Sequence, residues 1–137
     1  MNTFKTAERT ARSVSASEPQ LFRESRSILA ESIWFGRDGD LKWCDITSGL
    51  LYSSSLVEST DEVISLEPPI AGFQPARNGG YVVAARDTIS LLGSDGRDRR
   101  ELARIALPDT IRFNEVRCDP VGRLIVGSMD VAGESSE

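Results

Sequence analysis

A glycine followed by apolar residues at every second position returns three times along the chain. That repetition restricts the architecture more than any other feature. The copies are Arg37-Asp38-Gly39-Asp40-Leu41-Lys42-Trp43, Arg77-Asn78-Gly79-Gly80-Tyr81-Val82-Val83 and Pro120-Val121-Gly122-Arg123-Leu124-Ile125-Val126. The aligned glycines, at 39, 79 and 122, are spaced by 40 and 43 residues. Two positions on stand Leu41, Tyr81 and Leu124; four positions on stand Trp43, Val83 and Val126. Glycine supplies the positive φ of a tight hairpin turn, and period-two apolar residues mark a strand with a buried face.

Between the glycines each unit reads as several short strands. The first gives Ser32–Phe35, Leu41–Ile46, Leu50–Ser54 and Glu62–Leu66. The second gives Ala71–Pro75, Tyr81–Ala85, Thr88–Leu92 and Glu101–Ala106; the third gives Asn114–Asp119 and Leu124–Ser128. No helix-length window keeps a 3.6-residue period free of turn residues. Four strands in every 40–45 residues or so is the pattern of a β-propeller blade. The fold expected is therefore all-β, with residues 20–137 forming blades 1, 2 and the start of 3. A ring takes about four to eight blades, so the chain reads as an N-terminal fragment of a longer propeller.

Residues 1–19 read as a flexible tail, with Gln20–Arg23 as one isolated strand beyond it. Met1–Ser27 lacks the apolar core of a secretory signal, which makes a cytoplasmic location the expectation. No stretch approaches the roughly 20 apolar residues of a membrane-spanning helix. Sixteen basic residues against 21 acidic ones give a net charge of −5, so no membrane or nucleic-acid partner is expected. The Asp95–Arg100 run, with two aspartates among its arginines, reads as a polar hairpin.

The chain has no histidine, which removes Ser-His-Asp and Cys-His catalysis and every histidine-containing zinc site. A Ser-Lys pair has only Lys5 and Lys42 to draw on. A hydrolase built from these residues would activate water with carboxylates and a metal. Cys44 and Cys118, far apart, read as two reduced core thiols.

Three stretches resemble the regucalcin, gluconolactonase and luciferin-regenerating enzyme family. Leu29-Ala30-Glu31-Ser32-Ile33-Trp34 is similar to its opening L-G-E-G-P-x-W, and Leu41-Lys42-Trp43-Cys44-Asp45-Ile46 to its L-x-W-x-D-I strand. Arg112-Phe113-Asn114-Glu115, Cys118–Arg123 and Gly127-Ser128-Met129-Asp130 are similar to its R-x-N-D…D-P-x-G-R…G-T-M-D segment. Ala30, Ser32 and Ile33 depart from that pattern, as does Glu115 in place of aspartate.

The resemblance implies a six-bladed propeller that hydrolyses a small-molecule sugar lactone with a divalent metal (Ca²⁺, Zn²⁺, Mg²⁺ or Mn²⁺). It assigns Glu31 to the metal and Arg112, Asn114 and Glu115 to the substrate. The catalytic base and remaining metal ligands are expected beyond Glu137, so this chain alone is expected to be inactive. Asp45, Asp119 and Asp130 read as turn-stabilising carboxylates, and Trp43 and Tyr81 as core. The competing readings are a non-catalytic propeller used for binding and a remnant without function.

Overall fold

The computed structural model describes residues 15–36, 39–58 and 60–132. Ten strands follow one another without an intervening helix: β1 (Ala30–Phe35), β2 (Asp40–Asp45), β3 (Leu50–Ser55), β4 (Asp61–Ser65), β5 (Ile70–Pro75), β6 (Tyr81–Ala85), β7 (Thr88–Leu92), β8 (Arg99–Arg104), β9 (Ile111–Cys118) and β10 (Leu124–Asp130). They form two four-stranded antiparallel meanders, β1–β4 and β5–β8, and a two-stranded hairpin, β9–β10. These are two blades of a propeller and the opening of a third.

The glycine frame is one turn built three times. Gly39, Gly79 and Gly122 have φ of 85°, 84° and 85°. Each donates its N–H to the carbonyl three residues back, on Gly36, Ala76 and Asp119. Those three residues donate in turn to Asp40, Gly80 and Arg123 at 2.8, 2.8 and 2.9 Å. The turn fixes the β1–β2, β5–β6 and β9–β10 registers, and so decides which side chains face which neighbour.

Period-two alternation then builds two cores from one strand. Tyr81 and Val83 of β6 enter a cluster with Cys44, Ile46, Leu51, Ile70, Phe73 and Leu92, between the first and second blades. Ala84, on the opposite face, enters a cluster with Ala71, Ile89, Phe113 and Val116, between the second and third. A strand covered on both faces loses its polar alternation, which is why β6 reads Tyr-Val-Val-Ala-Ala. Phe73 is fully buried and meets Tyr81 edge-on at 5.9 Å. Burial of such a ring stabilises by about 1.5–3 kcal/mol. Trp43 is 8% exposed and stacks on Tyr52 at 4.9 Å.

Two expectations are corrected. Gln20–Arg23 is not a strand. Instead of backbone pairing, the Arg23 guanidinium fastens this segment to the first blade, donating to Asp61 at 3.1 Å and to the Ser55 carbonyl at 3.3 Å. Cys118 is exposed, not core; it ends β9 beside the turn, where no further blade element covers it among the described residues. The Asp95–Arg100 run does form a turn, closed by a Gly93 N–H bond to the Asp98 carbonyl at 2.8 Å.

Candidate functional site

The inner strands β1, β5 and β9 carry the residues that matter for chemistry, and a bulge interrupts the pairing of each. The irregularities fall between Glu31 and Trp34, between Ile70 and Gly72, and opposite Gly127–Ser128, where Asn114 is the extra residue. An extra residue re-aims the side chains on either side of it. Counted back from the turn glycines, Ser32, Gly72 and Glu115 occupy the same position, seven residues earlier. These three meet. Ser32 Oγ donates to Glu115 Oε1 at 3.0 Å. A Cβ placed on Gly72 would lie 2.7 Å from that hydroxyl and 2.8 Å from that carboxylate oxygen. Ser32 reaches the contact with φ of 55°, a left-handed conformation unusual for serine.

One position earlier stand Glu31, Ala71 and Asn114, so the metal and substrate candidates share a level on successive inner strands. The Glu31 side chain is exposed and its carboxylate forms no hydrogen bond or ion pair with the described residues. It lines a cleft of about 270 Å³ with Phe22, Arg23, Ile33, Leu41 and Trp43, a largely apolar setting. The Asn114 amide is half-buried and likewise has no partner among the described residues. Arg112 is half-buried, donates to the Phe113 carbonyl at 3.0 Å, and lines a separate cleft. The structure therefore aligns Glu31 with Asn114 in register and puts Arg112 in a different cavity from Glu31.

Glu115 is already engaged. Oε1 accepts from Ser32 and from the Val116 N–H at 2.8 Å, and Oε2 lies 3.2 Å from the Arg117 guanidinium. Its carboxylate braces the bulge beside Asn114. The sequence offered one signal for this tie, the departures at Ser32 and Glu115 from the family pattern, and none for Gly72.

Other carboxylates serve the backbone. Asp45 is buried and accepts from the Ile28, Leu29 and Ser48 N–H groups at 2.9, 3.1 and 3.4 Å. Burial pushes its carboxyl up, but those bonds outweigh it and hold it below the usual carboxylate value. Asp119 accepts from Val121 and Arg123 N–H groups and pairs with the Arg123 side chain, which also lowers it. Asp130 accepts from the Ala132 N–H at 2.9 Å. The Cys44 thiol, pushed up to about 11 by burial, hydrogen-bonds the Glu31 carbonyl.

Lys42 stands 2.6 Å from Ser53 Oγ, but the same ammonium pairs with Asp40 at 3.2 Å. Lys42 and Ser53 are directly opposed across β2 and β3, so the contact ties the two strands together.

For a divalent ion, the described residues offer no assembled site. No three acidic or sulfur side chains among them converge on a common point. Glu31, with no other partner, fits as a single oxygen ligand, the hard donor such ions prefer.

Two four-stranded antiparallel meanders followed by the hairpin of a third unit define the class, part of a β-propeller. Within that class the family is specific. Residues 29–137 match the family described as SMP-30/Gluconolactonase/LRE-like region, and the chain belongs to it. Regucalcin of Xenopus laevis is 31% identical over 108 residues, covering 77% of this chain and 36% of the relative. A 6-deoxy-6-sulfogluconolactonase of Pseudomonas putida is 31% identical over 105 residues, covering 75% and 36%. Pentonolactonase XacC of Haloferax volcanii is 36% identical over 107 residues, covering 74% and 35%.

Among solved structures, a luciferin-regenerating enzyme superposes with a TM-score of 0.70 at 17% identity, covering 77% of this chain and 37% of its own. A calcium-binding regucalcin from Agrobacterium tumefaciens superposes at 0.67 with 22% identity, covering 76% and 36%. These likenesses establish the fold. The chain spans about 36% of the length of the first curated relatives it matches.

Proposed function

We propose that the protein containing this chain hydrolyses a sugar lactone with the help of a divalent metal ion. Relatives named as sulfogluconolactonase, pentonolactonase and putative sugar lactone lactonase support the reaction class. The observation that carries it within this chain is the shared register of Glu31 and Asn114, whose polar side chains have no partners among the described residues.

Each residue has a role its chemistry suits. Asn114 offers an amide donor and an acceptor to sugar hydroxyls or to the lactone oxygen. Arg112 offers guanidinium N–H groups that its bond to the Phe113 carbonyl leaves free. Glu115 acts at one remove, holding the bulge that presents Asn114. Glu31 contributes one ligand to the ion, whose other ligands lie outside the described residues. Such an ion, when bound, supplies Lewis acidity to a carbonyl and acidifies a water.

With one ligand and no assigned base, this chain alone is expected to be inactive. Proton release from gluconolactone in a pH-stat, with and without chelator, tests both halves of the proposal. Hydrolysis by a protein that continues beyond these residues, lost with chelator and with Glu31→Gln, is the expected result. Chelator-sensitive hydrolysis by the 137-residue chain would overturn the expected inactivity. No hydrolysis by the longer protein with any divalent ion would favour a binding module.

A further inference from the structure

The cleft that holds Arg112 has a second cation that the family pattern did not single out. Its volume is about 400 Å³, and Pro69, Arg86, Asp87, Pro108, Asp109 and Arg112 are among its walls. That is within the roughly 300–1,000 Å³ of small-ligand pockets. Arg86 sits in the two-residue turn between β6 and β7, with φ of 50°. Non-glycine residues held in that region persist only where their surroundings fix them. Here the Arg86 carbonyl accepts the Phe113 N–H at 3.0 Å, which docks the turn onto β9 beside Arg112.

The charges in this cleft do not cancel. Arg86 donates Nε and Nη2 to the Pro68 carbonyl at 3.1 and 2.9 Å, and Arg112 donates to the Phe113 carbonyl. Neither guanidinium has a carboxylate partner among the described residues. Asp87 spends both oxygens on Arg104, at 2.9 and 2.8 Å. Asp109 is left as the one opposing carboxylate. Asp109 offsets one of the two guanidinium groups and a net positive charge remains; neutral sugar hydroxyls do not require it, whereas a carboxylate takes up a planar N–H fork.

We propose that this cleft selects a lactone carrying a carboxylate, the lactone of a sugar diacid, and that Arg86 is the specificity-determining residue. The proposal rests on the lactone reading above and narrows its substrate class. Arg86 keeps Nη1 and the second Nη2 hydrogen free for the anion, and the Pro68 carbonyl fixes the plane of its guanidinium.

Calorimetric titration of the chain with D-glucaro-1,4-lactone and with neutral D-gulono-1,4-lactone tests this directly. The acid lactone is expected to bind at least ten-fold more tightly at low salt. That preference should fall as salt rises from 50 to 500 mM, on the order expected for a screened charge contact. Arg86→Gln should remove most of the preference, and Arg86→Lys should restore part of it. Equal affinity for the two lactones, or a salt-insensitive preference, overturns the proposal and leaves the lactone reading standing. Binding of neither lactone overturns the selection proposed here, while the lactone reading stands or falls on hydrolysis by the longer protein. Because the salt series uses the unaltered chain, the test survives a variant that fails to fold.

Discussion

Ser32 and Glu115 lie 83 residues apart and are joined by a 3.0 Å hydrogen bond from the serine hydroxyl to Oε1. The bond ties the first blade to the third across Gly72 of the second. It closes the three inner strands on one another at the level where Glu31 and Asn114 are presented.

Two substitutions at Ser32 separate its side chain from its backbone. Ser32→Ala keeps the left-handed φ of 55° but removes the donor to a charged acceptor, and should cost about 1.5–3 kcal/mol. Ser32→Gly removes the same donor while relieving about 1–2 kcal/mol of backbone strain. The glycine variant should therefore be the more stable of the two in urea unfolding. Equal midpoints would mean that φ at this position carries no strain.

Gly72→Ala should destabilise by about 1–3 kcal/mol, as overpacking does. Its methyl would meet Ser32 Oγ at 2.7 Å and Glu115 Oε1 at 2.8 Å. In a Ser32→Gly background the first clash is gone, so the Gly72→Ala penalty should shrink. Additive losses in the double variant would show that the two residues are not in contact in solution.

The three turn glycines allow a cleaner comparison. A Cβ on Gly39, Gly79 or Gly122 would meet nothing within 4 Å, so only the backbone conformation resists substitution. Each glycine→alanine change should cost about 1–2 kcal/mol, and the three costs should agree. A spread well beyond that range, by chemical unfolding, would show that the turns are not equivalent.

The sequence made the strands legible because turn glycines and two-residue alternation act locally. The ten strands expected within the repeats correspond to the ten formed, while the eleventh, Gln20–Arg23, which lies outside the glycine frame, did not form. Contacts between blades were harder to read. The departures at Ser32 and Glu115 mark both positions, but that their side chains meet depends on how three separate hairpins pack. Arg86 carried no signal in the sequence for the same reason; its interest lies in Arg112, which the packing of β9 brings beside it. Cys118 misled because an apolar residue type at a strand end is buried only if another element covers it.

The two thiols should differ sharply in reactivity. The thiolate is the nucleophile, and burial holds Cys44 up to about 11, leaving it protonated at pH 8. Cys118 is exposed. Ellman's reagent at pH 8 should label one thiol of the native chain quickly and the other only on denaturation. Cys118→Ser should abolish the fast phase. Two equally fast thiols would contradict the buried placement of Cys44.

Acid should loosen the first blade through Asp45. Its folded carboxyl lies below the unfolded value of about 3.9, so the folded state holds the carboxylate more strongly than the unfolded chain does. The unfolded chain therefore binds the proton first as pH falls, and the resulting stabilisation is present above about pH 4 and is lost below it. Asp119 and Asp61 shift in the same direction, through Arg123 and through Ser54 with Arg23. Asp45→Asn retains one acceptor for the Ile28, Leu29 and Ser48 N–H groups but loses the charge. It should lower stability at pH 7 by about 1–3 kcal/mol and flatten the decline between pH 5 and 2. Thermal unfolding of both proteins across that range measures the slope. An unchanged slope in Asp45→Asn would assign the acid sensitivity to the exposed carboxylates instead.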